Sequence, residues 1–432
     1  MSIITSAKPA DSPAIQEGSI FRIISQLRLL LIIVISGYVI AALYYYYEGV
    51  YLARSYPYNT FLCVPPDRFT DFDNMILMCR HLNPYNDYTK SGYPPLANLI
   101  YYFFSKMSLS LGFSVFLLTP LAFGIFSINR QLARLPGFYR FLAVLLPFTL
   151  SYPVLIAVDR GNLDLWIFMP VGAFLFLYNS SSHWKRDLGC LALASAIALK
   201  IYPLPLLLIP FSDRRYADCF KIGIVAVLLS VASASCFFGG AVNAFHDFRQ
   251  IIAATDAYAK DTVKHAGFSV NFYNCIVILL TKLRMGRLLS WFTLHYWIMA
   301  MILMAGYSSL IYWKRLALWE SAACLVILFC LVPTLSGDYR VVALLPVILL
   351  FLLDVKSGLT YSRIIMILFG LLLVPKNYWE LFPDLPPGDV SASSIINPLI
   401  LFSLLNLILF KSHSSQRPAP SLEASTSIAG GK

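Results

Sequence analysis

Apolar runs separated by short charged breaks fill the chain from Arg28 to Phe410. A helix needs about 20 apolar residues to cross a hydrocarbon layer about 30 Å thick. The first predicted span covers 28–47, preceded by Arg22 and Arg28 and closed by Tyr44 to Tyr47. The next covers 109–128 and leads to Arg130, Arg134 and Arg140. A third ends at 158 and a fourth covers 163–178. Six more are expected at 222–238, 289–312, 316–335, 341–353, 364–374 and 395–410. Lys and Arg gather at alternate ends, which puts both termini in the cytoplasm. The expectation is an all-α polytopic membrane protein with about 10 transmembrane helices.

Three apolar stretches do not fit a simple crossing. The run 94–106 is too short and is expected at the interface, and 268–280 is interrupted by Asn271 and Asn274 on the outer face. The run 188–211 is long enough, but both flanks are basic: Lys185-Arg186 before it, Arg214-Arg215 and Lys221 after it. It is also broken by Lys200-Ile201-Tyr202-Pro203. A re-entrant hairpin turning at Lys200 satisfies the charge rule, and such broken backbone is tolerated only where it lines a cavity.

Composition narrows the class. The chain is 58% hydrophobic and 13% charged, with mean hydropathy +0.70, more apolar surface than a soluble domain can bury. Its net charge of +11 sits in short clusters that orient spans, so nucleic acid is excluded as a partner. A tail at 1–27 lacks a signal-peptide pattern, one catalytic domain covers 28–410, and a disordered cytoplasmic tail covers 411–432. Outer loops are expected at 48–93, 239–288 and 375–394. Most of the eight cysteines lie in apolar runs. Cys63 and Cys79 fall near the first loop, where a disulfide is an open alternative.

Candidate chemistry begins in that loop, DRFTDFDNMILMCRHLNPYNDYTKSGYPPL at 67–96. It holds Asp67, Asp71, Asp73, Asp87 and His81 and two aromatic turns, Asn83-Pro84-Tyr85 and Tyr93-Pro94-Pro95. Carboxylates beside apolar helices are costly if idle, although a solvated connector would carry them too. Asp159-Arg160-Gly161-Asn162-Leu163-Asp164 packs further charge between two spans, either as a self-paired turn or as a site. Lys200 sits within an apolar segment. Snorkelling would need a long reach, so an anionic partner is expected. Ser336-Gly337-Asp338-Tyr339-Arg340 completes the polar set on the outer face.

The order DF…NPY…YPPL, DRGN-x-D, LKIYP and SGDYR resembles the GT-C membrane glycosyltransferases, and within them the polyprenyl-phosphate-mannose-dependent mannosyltransferases of glycosyltransferase family 87. The resemblance runs from about Phe69 to Leu353. It implies a GT-C-like fold with an outward cavity, an aspartate of the first outer loop as general base, and a lipid-linked phosphosugar entering from the bilayer. Asp71 matches the family aspartate by position, with Asp73 in contention. SGDYR stands where the family carries a histidine-containing stretch.

Transfer from such a donor needs a base for the acceptor hydroxyl and cations for the departing phosphate. Asp71 and Asp73 are the catalytic candidates. Tyr93, Arg160, Asn162, Asp164, Lys200, Asp338, Tyr339 and Arg340 are the substrate and donor-phosphate candidates. No cofactor is required, and a divalent metal on Asp71 and Asp73 stays open. The expected partners are a polyprenyl-phosphate sugar, a glycolipid or glycan acceptor and the lipid bilayer, in a bacterial cytoplasmic membrane with the site facing outward. The alternative is a transporter or flippase of a lipid-linked or anionic substrate, for which broken helices would also serve. A third reading is an O-antigen-polymerase-like or ligase-like enzyme.

Overall fold

The computed structural model describes residues 17–54, 68–82, 84–85, 91–237, 239–261, 269–354, 359–376 and 391–411. In chain order its helices are α1 (Glu17–Tyr45, continued by a π-helical turn at Tyr46–Tyr51), α2 (Thr70–Cys79), α3 (Pro95–Phe104), α4 (Leu109–Gln131), α5 (Gly137–Leu145) and α6 (Tyr152–Arg160). They continue with α7 (Asp164–Leu177), α8 (His183–Leu199), a 3₁₀ turn at Leu204–Leu207, α9 (Leu208–Ser212), α10 (Tyr216–Ser235), α11 (Gly240–Asp261) and α12 (Phe272–Lys282). The last are α13 (Gly286–Lys314), α14 (Leu318–Leu331), a 3₁₀ turn at Asp338–Leu344, α15 (Leu345–Leu353), α16 (Leu359–Leu373) and α17 (Ser393–Lys411).

The protein is an all-α, multi-pass membrane protein. Among the described residues, five helices are long and apolar enough to cross a bilayer: 20–51, α4, α10, α13 and the apolar part of α17. The expected ten are thus not all full-length spans. Four further apolar helices, at 164–177, 272–282, 318–331 and 361–373, have only 10–17 residues. A 14-residue helix rises about 21 Å, short of the hydrocarbon thickness. Burial explains how such helices serve: α14 is inside along nearly its whole length, whereas only 17% of the spanning window of α13 is buried. The short α14 is an inner stave, and the long α13 presents an apolar face outward, while the long α17 is mostly buried.

Other expectations change in detail. The third span is two helices, α5 and α6, separated by a turn around Pro147. The stretch 94–106 forms α3, whose Asn98 and Tyr101 are fully buried, so it packs inside the bundle. The stretch 239–288 is largely helical, holding α11 and α12.

The segment 188–211 makes an excursion and returns. At its start Asp187 pairs with Lys221 at 2.7 Å. At its end Asp213 accepts a hydrogen bond from Tyr178 at 2.6 Å, and Arg215 donates to the Tyr178 carbonyl. Both limbs therefore meet the same end of the bundle, while α8 carries Lys200 about 25 Å away from it. Cys79 is a buried thiol that contacts Asn98 Oδ1 at 3.6 Å. Cys63 lies outside the described residues.

Candidate active site

Gly161 sets the geometry. It ends α6 at φ +64°, a left-handed conformation that suits glycine. A Cβ there would lie 2.6 Å from Phe72 Cβ, so only glycine lets α2 come this close. Phe72 is itself fully buried among Tyr101, Phe104, Phe113 and Phe116. With Phe72 fixed, the preceding residue faces the turn after α6. Arg160 Nη2 donates to Asp71 Oδ1 at 3.0 Å and Asn162 Nδ2 donates to Asp71 Oδ2 at 2.7 Å.

Asn162 joins the first pair to a second. Its own oxygen accepts the Asp164 backbone N–H at 2.9 Å, which caps the first turn of α7, and lies 3.5 Å from Lys200 Nζ. Asp164 is buried, and its Oδ1 accepts from Lys200 Nζ at 2.5 Å and from the Tyr202 hydroxyl at 2.8 Å. Arg340 Nε is 4.0 Å from Asp164 Oδ2. Among the described residues neither of those two buried atoms has a hydrogen-bond partner. Arg340 lies over the Tyr202 ring at 4.4 Å, and its Nη1 donates to the Phe329 carbonyl at 3.3 Å. Tyr93 places its ring 4.9 Å from Lys200 Nζ.

Most of the expected residues thus converge. Burial, and then nearby charges that include Asp71 and Asp164, hold the phenols of Tyr93 and Tyr339 above their ordinary pKa values. The Tyr93 ring borders the cluster at Lys200. Three cations, Arg160, Lys200 and Arg340, stand against two carboxylates, Asp71 and Asp164, so this group carries one surplus positive charge. Asp71 and Arg160 keep side-chain exposures of 20% and 26% against 2% for Asp164. The Asp71 side is the open one.

Three placements bear on the candidate residues. Lys200 has an anionic partner within the protein, Asp164. Asp338 does not join the cluster. It is fully buried, accepting from Asn397 Nδ2 at 2.8 Å and from the Tyr152 hydroxyl at 3.4 Å. Asp71 and Asp73 stand two apart on α2 and point to different faces of the helix. Desolvation raises the Asp73 carboxyl above its ordinary pKa.

Sequence reasoning did not give Tyr202 a role beyond breaking the helix, although its place two residues after Lys200 was a usable signal. Lys376 and Asn397 beside Asp338 had no local signal, since the fold alone brings them to residue 338.

Comparison with known proteins adds the family. The model of glycosyltransferase family 87 matches residues 92–334, more than half of the chain. No curated protein and no solved structure matches it significantly. The match includes Asn162, Asp164 and Lys200 and begins after Asp71. The chain belongs to glycosyltransferase family 87.

Proposed function

From that membership we propose that this membrane glycosyltransferase moves a hexose, mannose in the first instance, from a polyprenyl-phosphate sugar to a glycolipid or glycan acceptor on the outer face of a bacterial cytoplasmic membrane. The observation that carries this reading is the surplus cation of the Asp71–Arg160–Asn162–Asp164–Lys200–Arg340 cluster. The partly buried Asp71 carboxylate lies at its open side and the more buried Lys200 and Arg340 lie behind.

In the proposed reaction the sugar C1–O bond to phosphate breaks and the acceptor oxygen bonds to C1. The acceptor proton passes to the Asp71 carboxylate, and the phosphate leaves with the electron pair on its bridging oxygen. Asp71 is proposed as the base because it is the more exposed of the two cluster carboxylates. Its oxygens each accept one hydrogen bond and keep further lone-pair sites for an acceptor hydroxyl. Asp164, enclosed by Lys200 and Tyr202, orients those groups instead. Arg340 and Arg160 are proposed to stabilise the leaving phosphate, since fixed cations are worth most where charge develops in a water-poor site. Tyr93 and Tyr339 wall the sugar position.

The test uses membranes containing the full chain, labelled polyprenyl-phosphate mannose and a glycolipid acceptor. A new glycosidic bond on the acceptor supports the reading. Product from another lipid-linked hexose alone would overturn the sugar. Label that crosses the membrane with no new bond would replace transfer by transport.

A further inference from the structure

A largely apolar cavity with a basic rim opens at the opposite end of the bundle. It has a volume of about 370 Å³ and is lined by α1 and the start of α16; among the described residues its charged lining is Arg22, Arg28 and Arg363. That volume is within the range of small-molecule sites, about 300–1,000 Å³. Two of the guanidinium groups are held in place. Arg22 Nη2 donates to Ser362 Oγ at 3.2 Å, and Arg28 donates through Nε and Nη2 to the Tyr139 hydroxyl. Gln26, 6% exposed, adds a buried amide to the lining. Phe21 and Ile32, which are 73% and 62% exposed, continue the lining along α1. Residues 28, 32, 35 and 39 recur at helical spacing, so one face of α1 runs from Arg28 to the exposed Ile32, Ile35 and Val39.

This end of the molecule is the one away from Asp71. The α5–α6 pair starts beside Tyr139 and finishes at Arg160, and α7 and α8 likewise connect the cluster to the Asp187–Lys221 end. The concentration of Arg here is the charge pattern of a cytoplasmic surface.

We infer that this cavity binds the headgroup of an anionic phospholipid of the cytoplasmic leaflet, with an acyl chain lying along Leu29 and Ile32. A planar guanidinium matches phosphate oxygens in pairs, and basic pockets between helices on this side are suited to anionic headgroups. A free phosphate would use the arginines and leave the adjoining apolar face unexplained. A lipid uses both. The site is independent of the transfer reaction proposed above.

The experiment takes the full chain, delipidated in detergent, and measures phosphatidylglycerol and phosphatidylcholine of equal chain length by native mass spectrometry, with inorganic phosphate as a third ligand. A cation near an anionic headgroup is worth a factor of about five. Phosphatidylglycerol should therefore bind at least about tenfold more tightly than phosphatidylcholine. In a triple variant, Arg22→Gln, Arg28→Gln and Arg363→Gln, the two should come within about twofold, while Arg249→Gln on α11 keeps the preference. Hydrogen exchange on the parent protein gives a reading that does not depend on the variant folding: phosphatidylglycerol should protect residues 20–32. Equal binding of the two lipids, a preference that survives the triple variant, or no protection at 20–32 would overturn the inference. Block of phosphatidylglycerol by millimolar inorganic phosphate would make this a soluble-anion site.

Discussion

Lys200 Nζ lies 2.5 Å from Asp164 Oδ1, with side-chain exposures of 12% and 2%. The two residues come from the broken tip after α8 and the first turn of α7, so the pair ties the excursion at 188–211 to the turn that carries Arg160 and Asn162. Lys200 therefore holds the site together before any donor arrives. In the proposed reaction it shapes the place of the leaving phosphate, with the guanidinium of Arg340 near Asp164.

Removing one partner of a buried ion pair leaves the other charge uncompensated and costs about 3–5 kcal/mol. Lys200→Met is expected to lower the thermal unfolding midpoint in detergent and to abolish transfer. Adding Asp164→Asn should restore much of the midpoint and none of the activity. A double variant as unstable as Lys200→Met alone would show that Asp164 is not the partner that matters.

Asp71→Asn is expected to remove transfer while leaving the unfolding free energy within about 1 kcal/mol of the parent, because an amide still accepts a hydrogen bond from Asn162. Asp73→Asn should retain most turnover. Initial rates in the lipid-linked sugar assay decide between them, and the reverse ranking would transfer the base to Asp73.

The helical class was legible in the sequence, and Arg160, Asn162, Asp164, Lys200 and Arg340 stood out as candidates because lone polar groups among apolar residues are conspicuous. The span count was not. Hydropathy cannot tell a short inner helix such as α14 from a full crossing, since both are apolar all round. Nor could the sequence separate Asp338 from Arg340. They are two residues apart, and only the packing of Asn397 and Tyr152 shows that one serves the scaffold and the other the site.

Gly161→Ala tests whether α2 must approach this closely. An alanine at φ +64° costs about 1 kcal/mol in backbone strain, and its Cβ would meet Phe72 Cβ at 2.6 Å. Phe72 must then move, and Asp71 moves with it. Transfer should fall at least about tenfold, with a donor KM changed less than kcat. Near-normal kcat would mean that the Asp71–Arg160 contact is not needed for turnover.

The last prediction concerns Asp338 and pH. Burial raises its carboxyl from 3.8 to about 6, opposed by the hydrogen bond from Asn397 and the charge of Lys376. Burial also lowers Lys376 to about 8, so the lysine stays protonated below pH 6 and Asp338 is the member of the pair that titrates there. Because the folded-state pKa is the higher one, the folded protein holds a proton between pH 4 and 6 that the unfolded chain releases. Its contribution to stability is full below about pH 4 and is lost as pH rises through about 6. Asp338→Asn cannot titrate. Lowering the pH from 7 to 4.5 should therefore raise the stability of the parent relative to Asp338→Asn, read as the difference between their unfolding midpoints in detergent. A difference independent of pH, or one that moves against the parent on acidification, would show that Asp338 is not a carboxyl held neutral by burial.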